Sequence, residues 1–185
     1  MGRMDADHAR AEDLAILRAA LETGPPLGWE AVRAFEAEHG IVVPEPYRTF
    51  VAEFGDGASS GPPAYGLIPL VEQPSDWGSY RPVRELAEPF PLVEAWAWSD
   101  DPRPEAELDQ ALAPVFDHGS ILLGTDGCGM YWHLVVTGPA RGHVWHIDEY
   151  GATPFGAEFG SDTGESGFTG WVQHWANGKP WFDAG

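Results

Sequence analysis

The side chains best suited to chemistry gather in one stretch, Val115–Phe155. It holds Cys128, His133, His143 and His146, followed by the acid pair Asp148-Glu149. Zinc takes thiolate and imidazole ligands, and a thiol beside an imidazole is the nucleophilic pair of a cysteine hydrolase. Both readings meet obstacles. His143 and His146 are an odd number of positions apart, so a regular strand sends them to opposite faces. Cys128 lies in Gly127-Cys128-Gly129, where a small residue suits a glycine-rich turn, and no third orienting group with a matching local signature accompanies it. Gly124-Thr-Asp-Gly-Cys-Gly129 is not a phosphate loop, because no Gly-Lys-Ser/Thr follows and the next segment reads as a strand. Asp56, Asp100-Asp101 and Asp148-Glu149 have the chemistry for acid–base work or calcium, but EF-hand spacing is absent and charged loop neighbours are usually solvated. No catalytic residue, cofactor or metal ligand is assigned on this evidence. A small metalloprotein or hydrolase built on the His and Cys residues stays as an alternative.

The elements that would position these groups are strands. Ser120–Leu123, Met130–Val136 and His143–Ile147 are rich in β-branched and aromatic residues. Glycine, proline and aspartate in Gly124–Gly129 and Thr137–Gly142 separate them, the pattern of two successive hairpins. Alternation puts Met130, Trp132, Leu134 and Val136 on a core face, and Tyr131, His133 and Val135 on a face expected to be only partly covered.

Upstream, Leu14, Leu17 and Leu21 make the stripe of an amphipathic helix over Asp7–Glu22, ended by Thr23-Gly24-Pro25-Pro26. Trp29–His39 predicts a second helix capped by Gly40. Tyr47, Phe50, Val51 and Phe54 mark a third, with Pro46 in its first turn and Gly55-Asp56-Gly57 after it. Tyr65–Leu70 reads as a short strand. Residues 72–104 form a long region rich in Pro, Trp and acids, mostly irregular, with a short helix or strand within Val83–Val93. Glu105–Leu112 predicts a short helix, Gly151–Gly167 a surface loop and Phe168–Trp175 a helix. No internal repeat is present. Trp132, Trp145, Trp171 and Trp175 read as core anchors, whereas Trp77 and Trp98, in the long loop region, are expected to be exposed contact residues.

Size and composition bound the function. A chain of 185 residues suits one domain that buries roughly 70% of its unfolded surface. With 10 Lys+Arg against 29 Asp+Glu, the formal net charge is −19. Nucleic-acid binding runs on cationic neutralisation of phosphates, so that balance argues against DNA or RNA as a direct ligand. It favours basic partners, although an acidic surface also simply keeps a protein soluble. The single Cys128 excludes an intramolecular disulfide and fits a reducing compartment. The N-terminal residues mix acids and bases where a signal peptide needs an apolar run, Ala6 stands where myristoylation wants Ser or Thr, and no apolar run approaches a membrane span. A cytoplasmic protein without a membrane segment is expected.

The run Glu36-Ala-Glu-His-Gly40-Ile-Val-Val43-Pro44-Glu-Pro-Tyr47-Arg-Thr-Phe50-Val51-Ala-Glu-Phe54-Gly55-Asp-Gly57 resembles the N-terminal signature of the SUKH superfamily, which contains fungal cell-wall-assembly regulators and many bacterial immunity proteins. His39 replaces the usual Leu, Val43 replaces Leu, and Gly55-Asp56-Gly57 replaces Asn-Gly-Gly. The Tyr65-Gly66 segment, the turn Gly124–Gly129, Gly142-His-Val-Trp145 and the Phe168-x-x-Trp171 helix also resemble family motifs, in the family's order. Met130 stands where many relatives carry Asp, so no role of that acid is carried over. The resemblance leaves roughly residues 72–113 uncovered.

What the resemblance implies is one α+β domain with a central, mainly antiparallel sheet and helices packed on one side. It further implies a non-catalytic protein-binding role without a cofactor, such as an immunity protein that neutralises a cognate, nuclease-type toxin. A regulatory scaffold for an endogenous partner is the other reading it allows. The residues expected to touch the partner, from loop placement and residue type, are Asp56, Trp77, Tyr80, Trp98, Asp100 and Asp101.

Overall fold

The computed structural model describes residues 8–72, 84–156 and 167–181. Three helices open the chain, α1 (Ala11–Ala20), α2 (Trp29–His39) and α3 (Tyr47–Glu53). The two-residue strand β1 (Trp96–Ala97) and a 3-10 turn (Trp98–Asp100) lead into α4 (Glu105–Asp117). Strands β2 (Ser120–Gly127), β3 (Met130–Val135), β4 (Val144–Ile147) and β5 (Gly151–Pro154) follow, and α5 (Gly167–Ala176) closes the described chain. The strands form one antiparallel sheet in the order β1-β5-β4-β3-β2. The α+β class and antiparallel sheet are as expected.

Period-two alternation sorts the sheet into two packed faces. Trp132, Leu134, Val136, Ile121, Leu123 and Val144 meet Leu17, Val32, Phe35, Phe50, Phe168 and Trp171 from α1, α2, α3 and α5. Val135, Trp145, Ile147 and Ala152 face the other way, against Phe90, Trp98 and the α4 stripe of Leu108, Leu112, Val115 and Phe116. Four helices thus share one side, as the resemblance implies, while α4 covers the second. The face expected to be partly covered is closed, with Val135 and Ile147 fully buried.

Several boundaries move for identifiable reasons. Before α1, the Ala9 amide donates to Thr49 Oγ1 at 3.1 Å, and after it Thr23 bridges to Ala58, so the helix is shorter than its hydrophobic pattern. Asp7, the expected start, lies outside the described residues. α4 runs past Leu112 and through Pro114, because Val115 and Phe116 extend its buried stripe. Tyr65–Leu70 is extended but not a regular strand; it lies along β2 through Ile68 N–H to the Leu123 carbonyl at 2.9 Å. Gly66 has φ 82°, and a Cβ there would meet the Ala58 carbonyl oxygen, so only glycine lets this segment pass. Gly151–Pro154, expected within a loop, pairs with β4 and β1 instead. Trp132, Trp145 and Trp171 are buried, as expected of core anchors, while Trp175 is only half-buried.

Candidate functional site

The β4–β5 connection, Asp148-Glu149-Tyr150, is a turn held by its own aspartate. Asp148 Oδ1 accepts from the amides of Tyr150 (2.8 Å) and Gly151 (3.0 Å), the side-chain mimic of a backbone turn that aspartate favours. β1 lies at the edge of the sheet beside this turn, pairing Trp96 with Ala152 and Ala97 with Gly151. The following 3-10 turn is anchored to the same place. The amides of Trp98 and Ser99 both donate to the Tyr150 carbonyl, and Trp98 Nε1 donates to the Glu149 carbonyl at 2.8 Å. Two acid pairs far apart in sequence, Asp100-Asp101 and Asp148-Glu149, are thereby drawn to one corner.

Within that corner, Arg103 grips Asp101 with two bonds, Nε to Oδ1 at 2.8 Å and a guanidinium nitrogen to Oδ2 at 2.7 Å. Trp96 Nε1 also donates to Oδ2 at 3.2 Å, and the guanidinium stands 5.0 Å from the Trp96 ring. The hydrogen bond from Arg103 holds the Asp101 carboxyl well below the usual carboxylate range. Asp100, Glu149 and Tyr150 are exposed. A hydrogen bond with the Glu149 carboxylate raises the Tyr150 phenol. The corner presents carboxylates and aromatic rings, the equipment of a contact surface for cations.

The expected contact residues divide. Asp100 and Asp101 belong to this corner. Trp98 lies beside it but is buried, at 6% exposure, with its ring 6.1 Å from Phe116 and its indole N–H donated to the Glu149 carbonyl. The expectation of an exposed ring is corrected, because a Trp followed by Ser-Asp-Asp reads as loop surface while its side chain fills the α4 face. Asp56 stands elsewhere, after α3, half-buried, with Oδ1 accepting from the Leu70 amide at 2.8 Å. Burial raises its carboxyl. Trp77 and Tyr80 lie outside the described residues. The sequence reading missed Trp96, Arg103 and Tyr150 as members of the site. The one available signal was Asp148-Glu-Tyr-Gly151 as a hairpin turn.

The His and Cys residues do not converge. Cys128 is exposed at the tip of the β2–β3 turn with φ 52°. His133 is buried on the α4 face with Nδ1 3.0 Å from Ser120 Oγ, and burial pushes its imidazole down to about 3. His146 lies on the opposite face beside the Trp132 ring, and His143 is exposed. Among the described residues, no group of three or more His, Cys, Asp or Glu is placed to hold a metal ion. No helix among them is long and apolar enough to cross a membrane.

A model of the SMI1 / KNR4 family (SUKH-1) matches residues 26–163, well over half of the chain. The match runs through the segment after residue 72 that the motif resemblance left uncovered, and ends before α5. No curated protein and no solved structure matches the chain.

Proposed function

The chain belongs to the SMI1 / KNR4 family (SUKH-1), and from that premise we propose that it is a non-catalytic protein-binding domain that serves as an immunity protein. Its partner in this reading is a cognate bacterial toxin of the nuclease type. A nuclease grips phosphates and so carries a basic surface. A protein of net charge −19 both accelerates the encounter and covers that surface. The observation that carries the reading is this charge, displayed in part on a rigid corner where Asp100, Asp101, Asp148 and Glu149 flank exposed Tyr150. Among the described residues the imidazoles are buried or scattered, and the thiol stands apart from them at a turn tip.

The test is inhibition. The reading requires a toxin domain encoded beside this protein's gene, and such a domain is assayed for nuclease activity while the protein is titrated in. Stoichiometric loss of activity supports the immunity role. Full activity with the protein in excess removes it.

A further inference from the structure

Beside the β4–β5 turn lies an open depression of about 380 Å³. Its lining includes Trp96, Ser99, His146, Asp148, Tyr150 and Thr153. We propose that this depression receives an arginine side chain of the partner, with the Asp148 carboxylate as its counter-charge and exposed Tyr150 as the aromatic ring beside it. The inference rests on the protein-binding reading above and deepens it by naming the contact.

Four observations support an arginine. Asp148 spends Oδ1 on the turn amides, and its Oδ2 lies 3.9 Å from His146 Nδ1. The carboxylate is therefore held by the backbone and needs no side-chain reordering to meet a cation, which limits the entropy that binding costs. Next, burial lowers the His146 pKa, so the imidazole is neutral near pH 7 and sets no positive charge against an incoming guanidinium. Thirdly, Tyr150 is 61% exposed whereas most other large rings among the described residues are inside, and exposed tyrosine is a common anchor of interfaces. Finally, the same corner already holds one guanidinium in this manner, Arg103 bonded twice to Asp101 and set over Trp96. A planar, weakly hydrated guanidinium suits an aromatic ring and a fixed carboxylate better than an ammonium does.

N-acetyl-argininamide is titrated into the full-length protein at moderate salt and followed by amide and indole NMR signals. Saturable shifts are expected at the Asp148, Tyr150 and Gly151 amides. Asp148→Asn keeps the Oδ1 acceptor of the turn and removes the charge, so it should weaken the probe about fivefold. Glu30→Gln, which removes an exposed charge on α2, should leave its affinity unchanged. Tyr150→Ala gives the same reading should Asp148→Asn disturb the turn. Unsaturable shifts spread over the acidic surface, or equal losses in Asp148→Asn and Glu30→Gln, would overturn the inference. The two readings fail separately. Probe binding without toxin inhibition sinks the immunity role and leaves the depression, whereas inhibition untouched by Asp148→Asn and Tyr150→Ala removes the depression from the contact.

Discussion

Arg48 Nε lies 2.6 Å from Glu36 Oε1, and a second guanidinium nitrogen lies 3.0 Å from Glu36 Oε2, both side chains being largely buried. The same Oε1 accepts from the Val43 amide at 3.0 Å. One carboxylate therefore ties α2, the Gly40–Pro44 crossing and α3 together. Gly40 makes the crossing possible with its left-handed φ of 66°. Arg48→Met strands a buried carboxylate and is expected to cost about 3 kcal/mol or more. Glu36→Gln, which keeps an acceptor for Val43, should cost less. Urea denaturation of the two variants gives the order, and a neutral Arg48→Met would contradict it.

Asp126 clamps the loop after α3 to the sheet. Its Oδ2 accepts from Trp132 Nε1 at 2.7 Å and its Oδ1 from the Ala64 amide at 2.7 Å. Asp126→Ala leaves both donors without this acceptor, so a loss of about 2–3 kcal/mol is expected, with faster amide exchange at Ala64. Asp126→Asn, which still presents one acceptor, should retain part of the difference.

Trp98→Ala removes a ring that fills the α4 face and abandons the Glu149 carbonyl. The expected cost is about 3–5 kcal/mol, read as a lowered denaturation midpoint. A variant of unchanged stability that binds its partner poorly would restore the ring to the surface.

How far the sequence led can be argued from these same residues. Trp29–His39 followed by Gly40 was legible to the residue, since periodicity and the glycine cap are local signals. The core face Trp132, Leu134 and Val136 was legible from alternation alone. What escaped depends on contacts distant in sequence. β1 and β5 are too short to show a pattern and exist because Trp96 pairs with Ala152. Trp98 sits among polar neighbours, and only the fold turns it inward. The corner joins Asp101 to Tyr150 through backbone bonds that no motif encodes.

His133 makes stability depend on pH. Burial depresses its folded pKa to about 3, against about 6.5 for a free imidazole. Between these values the unfolded chain binds the proton and the folded one does not. Stability contributed by neutral His133 is thus complete above about pH 6.5 and lost as pH falls below it, by up to about 1.4 kcal/mol per pH unit. Comparing wild type with His133→Gln at pH 7.5 and pH 5 isolates this proton. The variant should lose less stability on acidification. Parallel losses would contradict the assignment.

The central claim is that an anionic, inert surface acts by covering a basic protein. Calorimetric titration of the full-length protein with the proposed partner, a nuclease toxin domain encoded by a neighbouring gene, at low and at moderate salt, tests it most directly. The account predicts binding at both, weaker at moderate salt because the charges that steer and hold the partner are screened. Absence of binding at both salt concentrations, or an affinity indifferent to salt, would contradict it.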